Sequence, residues 1–499
     1  MRPNGAGAGV TNCNTGVAGL DYVLGGGLPE GRVYLTEGEP GSGKTTLALQ
    51  FLYEGAAQGE VGLYLGLSET VEELNDVVAS HGWAPPPFQV LELHPSDDSL
   101  SPDSQYTIFH PSEVELGATT KRIIEAIETN KPRRVVLDSL SEMRLLAQSP
   151  FRFRRQIIAL KHYLAQHGCT ALFLDDRAPS TTESPVHTLT HGVISMEHYA
   201  ADFGTERRRL RISKLRGQEF VGGYHDFNIV RGGIEVFPRL VPPARPAEVP
   251  AEPLASGIAQ LDTLLGGGIE YGTSTLFVGP TGSGKSSVAA HFAMGAIATG
   301  HRAAVFTFDE TVETFVIRCT GLGLKVKEAI EDGSLFVLQV DPATLSPGEF
   351  ACRVTGEVDN GARVVVIDSL NGYLTAMVRE HALVAQLHEL LTHNNQMGAM
   401  TLLVMAQAGI LGPAMTSPVD ASYLADNVLL FRYFEAFGSV HKALSVLKRR
   451  RGGHETSIRR LTMDARGIGV GEPLLEFRGV LTGVPEYGGS AGTLEGQGR

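Results

Sequence analysis

The chain has 499 residues, 42 % of them hydrophobic and 19 % charged, a globular composition that excludes a low-complexity disordered protein. Its 42 basic against 55 acidic residues leave a formal net charge of −13, which argues against a protein held mainly by nucleic-acid backbone charge, though not against a local basic patch. The four cysteines, Cys13, Cys169, Cys319 and Cys352, show no CxxC spacing, so neither a zinc ribbon nor a disulfide framework is predicted, in keeping with a reducing cytoplasm.

In chain order, the opening MRPNGAGAGVTNCN has no apolar core, so no signal peptide is expected. A lead-in, TGVAGLDYVLGGGLPEG, precedes a short apolar run at 33–36 that reads as a strand. A glycine-rich stretch from Gly38 follows, then helical spacing over 47–57 and a second strand over 62–67. Residues 94–115 are rich in Pro, Ser and Asp and read as a loop. Strands are predicted at 134–137 and 171–174, with an amphipathic helix over 155–165 between them. This alternation predicts an α/β fold with a mainly parallel sheet flanked by helices. The stretch LVPPARPAEVPAEP has five prolines and no apolar periodicity, and reads as a stiff linker.

Beyond the linker the pattern begins again. SGIAQLDTLLGGGIEYG repeats the lead-in, GPTGSGKSS repeats GEPGSGKTT, VVIDS repeats VVLDS, and KRRRG repeats KLRG. One offset separates Gly16 from Gly257 and Lys44 from Lys285. Four motifs in one order predict a tandem duplication. The expected organisation is a first domain over 1–245, a linker over 246–253, a second domain over 254–478 and a flexible Gly-rich tail over 479–499. The apolar run at 399–415 is broken by Gln407, Gly409, Gly412 and Pro413, and predicts a buried strand plus a loop rather than a membrane span.

The two glycine-rich stretches fit GxxxxGK[ST]. Gly41, Ser42, Gly43, Lys44, Thr45 and Thr46 form the core of the first, and Thr281, Gly282, Ser283, Gly284, Lys285, Ser286 and Ser287 that of the second. Glycines let successive backbone N–H groups converge on phosphate oxygens, and the following helix offers its positive end to the same anion. Lys44 and Lys285 then place an ammonium on the phosphates of ATP, and Thr45 and Ser286 offer a hydroxyl to Mg²⁺. Asp138 and Asp368 close apolar strands and are expected to orient that ion. The acid that activates water is expected at the end of the second strand: Glu69 after Ser68 in LGLSET, and Asp309 with Glu310 in FTFDET. Asp309 is also a candidate Mg²⁺ ligand. No clustered histidines suggest a transition metal.

With these residues in place the chain resembles the KaiC family of two-domain RecA-like ATPases over about residues 12 to 480. The lead-in, both phosphate loops, both strand-end aspartates, KLRG and the tandem order carry the resemblance. It implies a homo-oligomer, a hexamer of two stacked rings with ATP between neighbouring copies. It further implies that Lys214, Leu215 and Arg216, and in the second half Lys448, Arg449 and Arg450, approach the adjacent protomer's nucleotide. Arg451 stands where the family has glycine. His454 matches a nucleotide-contacting histidine, and Ser80 a base or ribose contact near Trp83. The first of the family's paired acids is Ser68 here. The resemblance places Ser422 and Tyr423 at the family's autophosphorylation positions, which makes serine autokinase activity an expectation for the second domain. The Tyr423 departure and the short tail set the chain among KaiC-like proteins outside the cyanobacterial clock. The expected protein is cytoplasmic, with a regulatory output through protein partners, no membrane association and no nucleic acid. Alternatives are a RecA/RadA-like DNA-repair ATPase and a non-catalytic scaffold that uses ATP for assembly.

Overall fold

The computed structural model describes residues 11–93, 111–176, 185–200, 204–243, 246–341, 343–376, 383–407, 422–436, 438–464, 467–482 and 486–488. The chain divides into two compact units, the boundary falling between Arg239 and Leu240. Among the described residues each unit is built on one nine-stranded sheet.

The strands of the first unit are β1 (Val33–Gly38), β2 (Gly62–Gly66), β3 (Gln89–Glu92), β4 (Arg134–Asp138), β5 (Thr170–Asp176), β6 (Gly192–Tyr199), β7 (Arg207–Leu215), β8 (His225–Val230) and β9 (Gly233–Phe237). Their order across the sheet is β9-β8-β7-β6-β1-β5-β4-β2-β3. The stretch from β6 to β3 is parallel, and β7, β8 and β9 extend it antiparallel. The second unit has β10 (Ser274–Gly279), β11 (Arg302–Thr307), β12 (Leu335–Gln339), β13 (Ala362–Asp368), β14 (Met400–Ala406), β15 (Asn427–Ala436), β16 (Ser439–Arg449), β17 (Ile458–Asp464) and β18 (Gly467–Pro473). Their order, β18-β17-β16-β15-β10-β14-β13-β11-β12, repeats the first sheet strand for strand. The mainly parallel α/β fold expected from the alternation is thus present twice. The antiparallel flank follows less visible strands, because Arg207–Leu215 carries five basic residues among nine and its outward face masks the apolar period.

Alternation along each strand feeds two cores. Tyr34 joins Leu47, Ala48, Phe51 and Leu52 of the helix Lys44–Ala57 on one face of the first sheet. Val33 and Leu35 meet Phe153, Ile157, Leu160 and Leu164 of the helix Pro150–Gln166 on the other. That helix is longer than the expected 155–165 because Pro150 starts it, where a missing N–H costs nothing. Each of its four buried side chains contributes about 1.5–3 kcal/mol.

The lead-in motif has a local cause. Asp21 Oδ1 accepts from the Thr15 amide and hydroxyl, both at 2.8 Å, pinning the turn before the helix Ala18–Val23. Ser256 and Asp262 repeat the arrangement at 2.6 and 2.7 Å. Burial raises the Asp21 carboxyl to about 6, against the pull of Thr15.

Two expected boundaries move. Of the loop expected over 94–115, residues 94–110 lie outside the described residues, and the helix Pro111–Asn130 claims the rest. Described parts of the expected tail are ordered: Val480 packs with Phe434, Ala436 and Ala443, and Glu486–Tyr487 pairs with Phe477–Arg478. The run at 399–415 yields the strand Met400–Ala406, and residues 408–415 lie outside the described residues. Among the described residues no helix is long and apolar enough to cross a membrane.

Candidate nucleotide sites

Both glycine-rich loops join a buried central strand to the helix that follows. In the first, Gly43 caps the helix at φ 98°, and in the second Gly284 does so at φ 106°. A side chain is strained there, and a Cβ at Gly43 would lie 2.8 Å from Ile229. Parallel register brings Gly38 beside Asp176 and Gly66 beside Asp138, so the loop and both aspartates share the carboxyl end of the sheet. That crevice is where open α/β sheets bind ligands.

In the first site Lys44 Nζ donates to the carbonyls of Gly38 and Glu39, both at 3.0 Å, and to Asp176 Oδ1 at 2.9 Å. Thr45 donates to Asp138 Oδ2 at 3.1 Å, the hydroxyl and carboxylate expected around Mg²⁺. Tyr64, fully buried, places its hydroxyl 2.7 Å from Asp138 Oδ2 and 3.2 Å from Glu69 Oε2. One phenol hydrogen serves one of two carboxylates at a time. Burial raises both carboxyls; Asp138 raises Glu69 further, whereas the Tyr64 and Thr45 hydroxyls pull Asp138 back. Ser68 is exposed. Thr46 meets His81 Nε2 at 3.4 Å. Ser80 is exposed and donates to the Val77 carbonyl at 2.7 Å, and Trp83 donates to the Gly232 carbonyl at 3.2 Å.

In the second site Lys285 donates to the carbonyls of Gly279 and Pro280, both at 2.8 Å. Its third ammonium hydrogen has no acceptor among the described residues. Burial lowers Lys285 to about 8, and Asp368 opposes the shift. Asp368 is pushed up by burial and restrained by a hydrogen bond from Ser286. Ser369 donates to Asp309. Glu310 is paired with Arg318, whose Nη1 also reaches Ser287 Oγ at 3.3 Å. A cavity of about 610 Å³ opens here between Lys285, Ser286, Glu310, Arg318 and Asp368, within the range that holds small ligands. Thr281 and Gly282 line it, and the Thr281 carbonyl accepts from Tyr433.

The KLRG residues lie elsewhere. Lys214 faces Val193, which faces Leu35, three residues short of Gly38. Its ammonium donates to the carbonyls of His187 and Thr190. Lys448 stands equivalently opposite Val428 and Leu276, and donates to Ser422 and Ala425. Arg216 is exposed and reaches the Thr188 carbonyl at 3.3 Å; Arg450 is exposed and pairs with Asp426 at 2.8 Å. Leu215 faces Gly192 and packs against the first core. Arg449 turns the other way. Its side chain is 3 % exposed, pairs with Glu270 and donates to the Arg451 carbonyl, so its charge is engaged inside the unit. His454 is half-buried between β16 and β17. Tyr64, Asp176 and Arg318 were not singled out by sequence. Asp176 was legible: aligning the ends of β5 and β14 sets Asp175-Asp176 against Met405-Ala406.

The class these features define is a doubled phosphate-loop ATPase. A family described as "ATPase: KaiC" matches residues 13–241 and 254–474, and the chain belongs to it. The chain is 28 % identical over 491 residues to the circadian clock protein KaiC3 of Synechocystis sp., covering 96 % of this chain and 95 % of that protein. It is 26 % identical over 489 residues to the circadian clock oscillator protein KaiC of Synechococcus elongatus, covering 95 % and 92 %. Against the KaiC of Thermostichus vulcanus the figures are 27 % over 486 residues, 94 % and 91 %.

Proposed function

We propose that this KaiC-family ATPase binds MgATP in both halves and hydrolyses it as a homo-oligomer, a hexamer, whose sites are completed by neighbouring copies. The observation that carries this reading is the position of Lys214 and Lys448. Each lies two strands away from its own phosphate-loop strand and three residues, roughly 10 Å, short of that strand's end. Arg216 and Arg450 lie further in the same direction, so none of these cations completes its own site. Exposed at the other end of the sheet, Arg216 and Arg450 suit a γ-phosphate presented by an adjacent copy, where a donated cation stabilises transition-state charge.

Thr45 with Asp138, and Ser286 with Asp368, offer the hard oxygen ligands that Mg²⁺ takes beside phosphate oxygens. When bound, Mg²⁺ supplies charge neutralisation on the β- and γ-phosphates. Water attacks the γ-phosphorus, the bond to the ADP oxygen breaks, and Glu69 or the Asp309–Glu310 pair receives the water's proton. Light scattering in MgATP tests the assembly. The expected mass is that of six chains; a persistent monomer that still hydrolyses ATP overturns the composite site.

Serine autokinase activity is the finer part of the proposal. Ser422 is exposed in the turn entering β15, at the end of the sheet away from its own phosphate loop. A neighbouring copy must therefore supply the phosphoryl group. Phosphopeptide mass spectrometry after incubation with ATP is expected to find label at Ser422; unlabelled peptide removes the kinase reading and leaves the ATPase. A regulatory output through protein partners in the cytoplasm fits a nucleotide-dependent ring. The clock role named for the relatives belongs to those proteins.

A further inference from the structure

The Lys44 ammonium has three hydrogens, and all three have acceptors: two loop carbonyls and Asp176. Among the described residues Lys285 has the two carbonyls alone, because register places Ala406 beside Gly279 where Asp176 lies beside Gly38. Asp176 is anchored from behind. Its amide donates to Ser141 Oγ at 3.2 Å, and the same hydroxyl is 3.4 Å from Asp176 Oδ2 and 3.1 Å from Asp175 Oδ1. Asp175, buried, is paired with Arg144. The carboxylate therefore belongs to a supported cluster that aims a negative charge at the phosphate-binding lysine.

A nucleoside diphosphate and a triphosphate meet that charge differently. A diphosphate would reach the lysine through its β-phosphate alone and would leave the pair with Asp176 in place. A triphosphate would bring its γ-phosphate toward the same ammonium, against a carboxylate of like charge, and such juxtapositions are unfavourable at a binding surface. We propose that Asp176 is a specificity-determining residue that biases the first site toward nucleoside diphosphate, a bias the second site lacks because Ala406 takes its place. The proposal rests on reading the first loop as a nucleotide site.

The test is equilibrium titration of the full chain with MgADP and MgATP. The second site is silenced by Lys285→Ala, and Asp176→Asn is added for comparison. Asparagine keeps the size and the Ser141 contacts while removing the charge. The expected result is a rise in MgATP affinity about tenfold larger than any change for MgADP, since a half-exposed ion pair is worth less than a buried one. An unchanged ATP-to-ADP ratio overturns the proposal. Ala406→Asp in a Lys44→Ala background gives the converse arm, independent of how Asp176→Asn folds. It should lower the second site's ATP-to-ADP affinity ratio, and an unaltered ratio there also counts against the proposal. If the Lys285→Ala parent binds neither nucleotide, it is the first site's assignment that fails.

Discussion

The two nucleotide sites stand on the same strand order and the same phosphate-loop backbone, yet they place their charges differently. Each gathers carboxylates around its strand-end aspartate. In the first, Glu69 and Asp176 stand with Asp138; in the second, Asp309 and Glu310 stand with Asp368, and Asp464 also lines the cavity. One flanking acid has crossed from one side of the strand-end aspartate to the other, from the turn after the second strand to the end of the strand beside the loop. The glutamates are tethered by unlike means, Glu69 by the neutral phenol of Tyr64 and Glu310 by the guanidinium of Arg318. Duplication therefore preserved what the backbone needs, glycines and register, while the charged groups around the phosphates diverged.

The largest expected effect breaks the comparison at the lysines. Lys285→Ala removes an ammonium with a hydrogen still to give, so MgATP affinity at the second site should fall on the order of a hundredfold, as when a buried charge partner is deleted. Lys44→Ala should cost the first site less, because Asp176 already offsets that charge. Titrations of the two single variants measure this directly, and equal losses would show the ion pair to be irrelevant to binding. The tethers come next. Arg318→Met leaves Glu310 partly buried without its cation and should destabilise the second unit by about 1–2 kcal/mol, discounted for exposure. Tyr64→Phe removes one hydrogen bond to a buried carboxylate and should cost the first unit about 1 kcal/mol. Denaturant melts of the full chain, read with a probe in each unit, check both the sizes and the assignment to units. A loss in the wrong unit would break the pairing drawn here.

Much of this scaffold was legible in the residues. Glycines at positive φ, an apolar strand ending in aspartate and a Thr or Ser six residues before an Asp each have a local cause, so local sequence reports them. Two side chains that distinguish the sites, Tyr64 and Arg318, do not. Tyr64 looks like an ordinary apolar strand residue and acquires its role only when β2 and β4 are paired. Arg318 lies over Phe315 and reaches Glu310 and Ser287, contacts that join separate segments and leave no local pattern. Arg449 shows the converse case. The family resemblance implies a nucleotide contact for it, whereas its guanidinium is paired with Glu270 inside its own unit. Side-chain direction along a strand has period two, so neighbouring basic residues seldom share a task.

A last expected effect sharpens the contrast between the lysines through pH. Burial holds Lys285 at about 8, well below its ordinary value. In the empty second site the lysine is charged below that pH and neutral above it, whereas phosphate contact favours the charged form. Nucleotide affinity in a Lys44→Ala background should therefore be flat on this account below pH 8. It should fall by up to about tenfold per pH unit above it. Stability of the nucleotide-free unit runs the opposite way. The unfolded lysine, at about 10.5, binds its proton more readily than the folded one between the two values, so the contribution to stability rises with pH across that window. Titrations at pH 7, 8 and 9, paired with melts at the same pH, should show affinity and stability diverging. If both decline together, a general loss of structure is being observed instead. An affinity unchanged at pH 9 would mean that the loop carbonyls and Asp368 already keep Lys285 charged before any phosphate arrives.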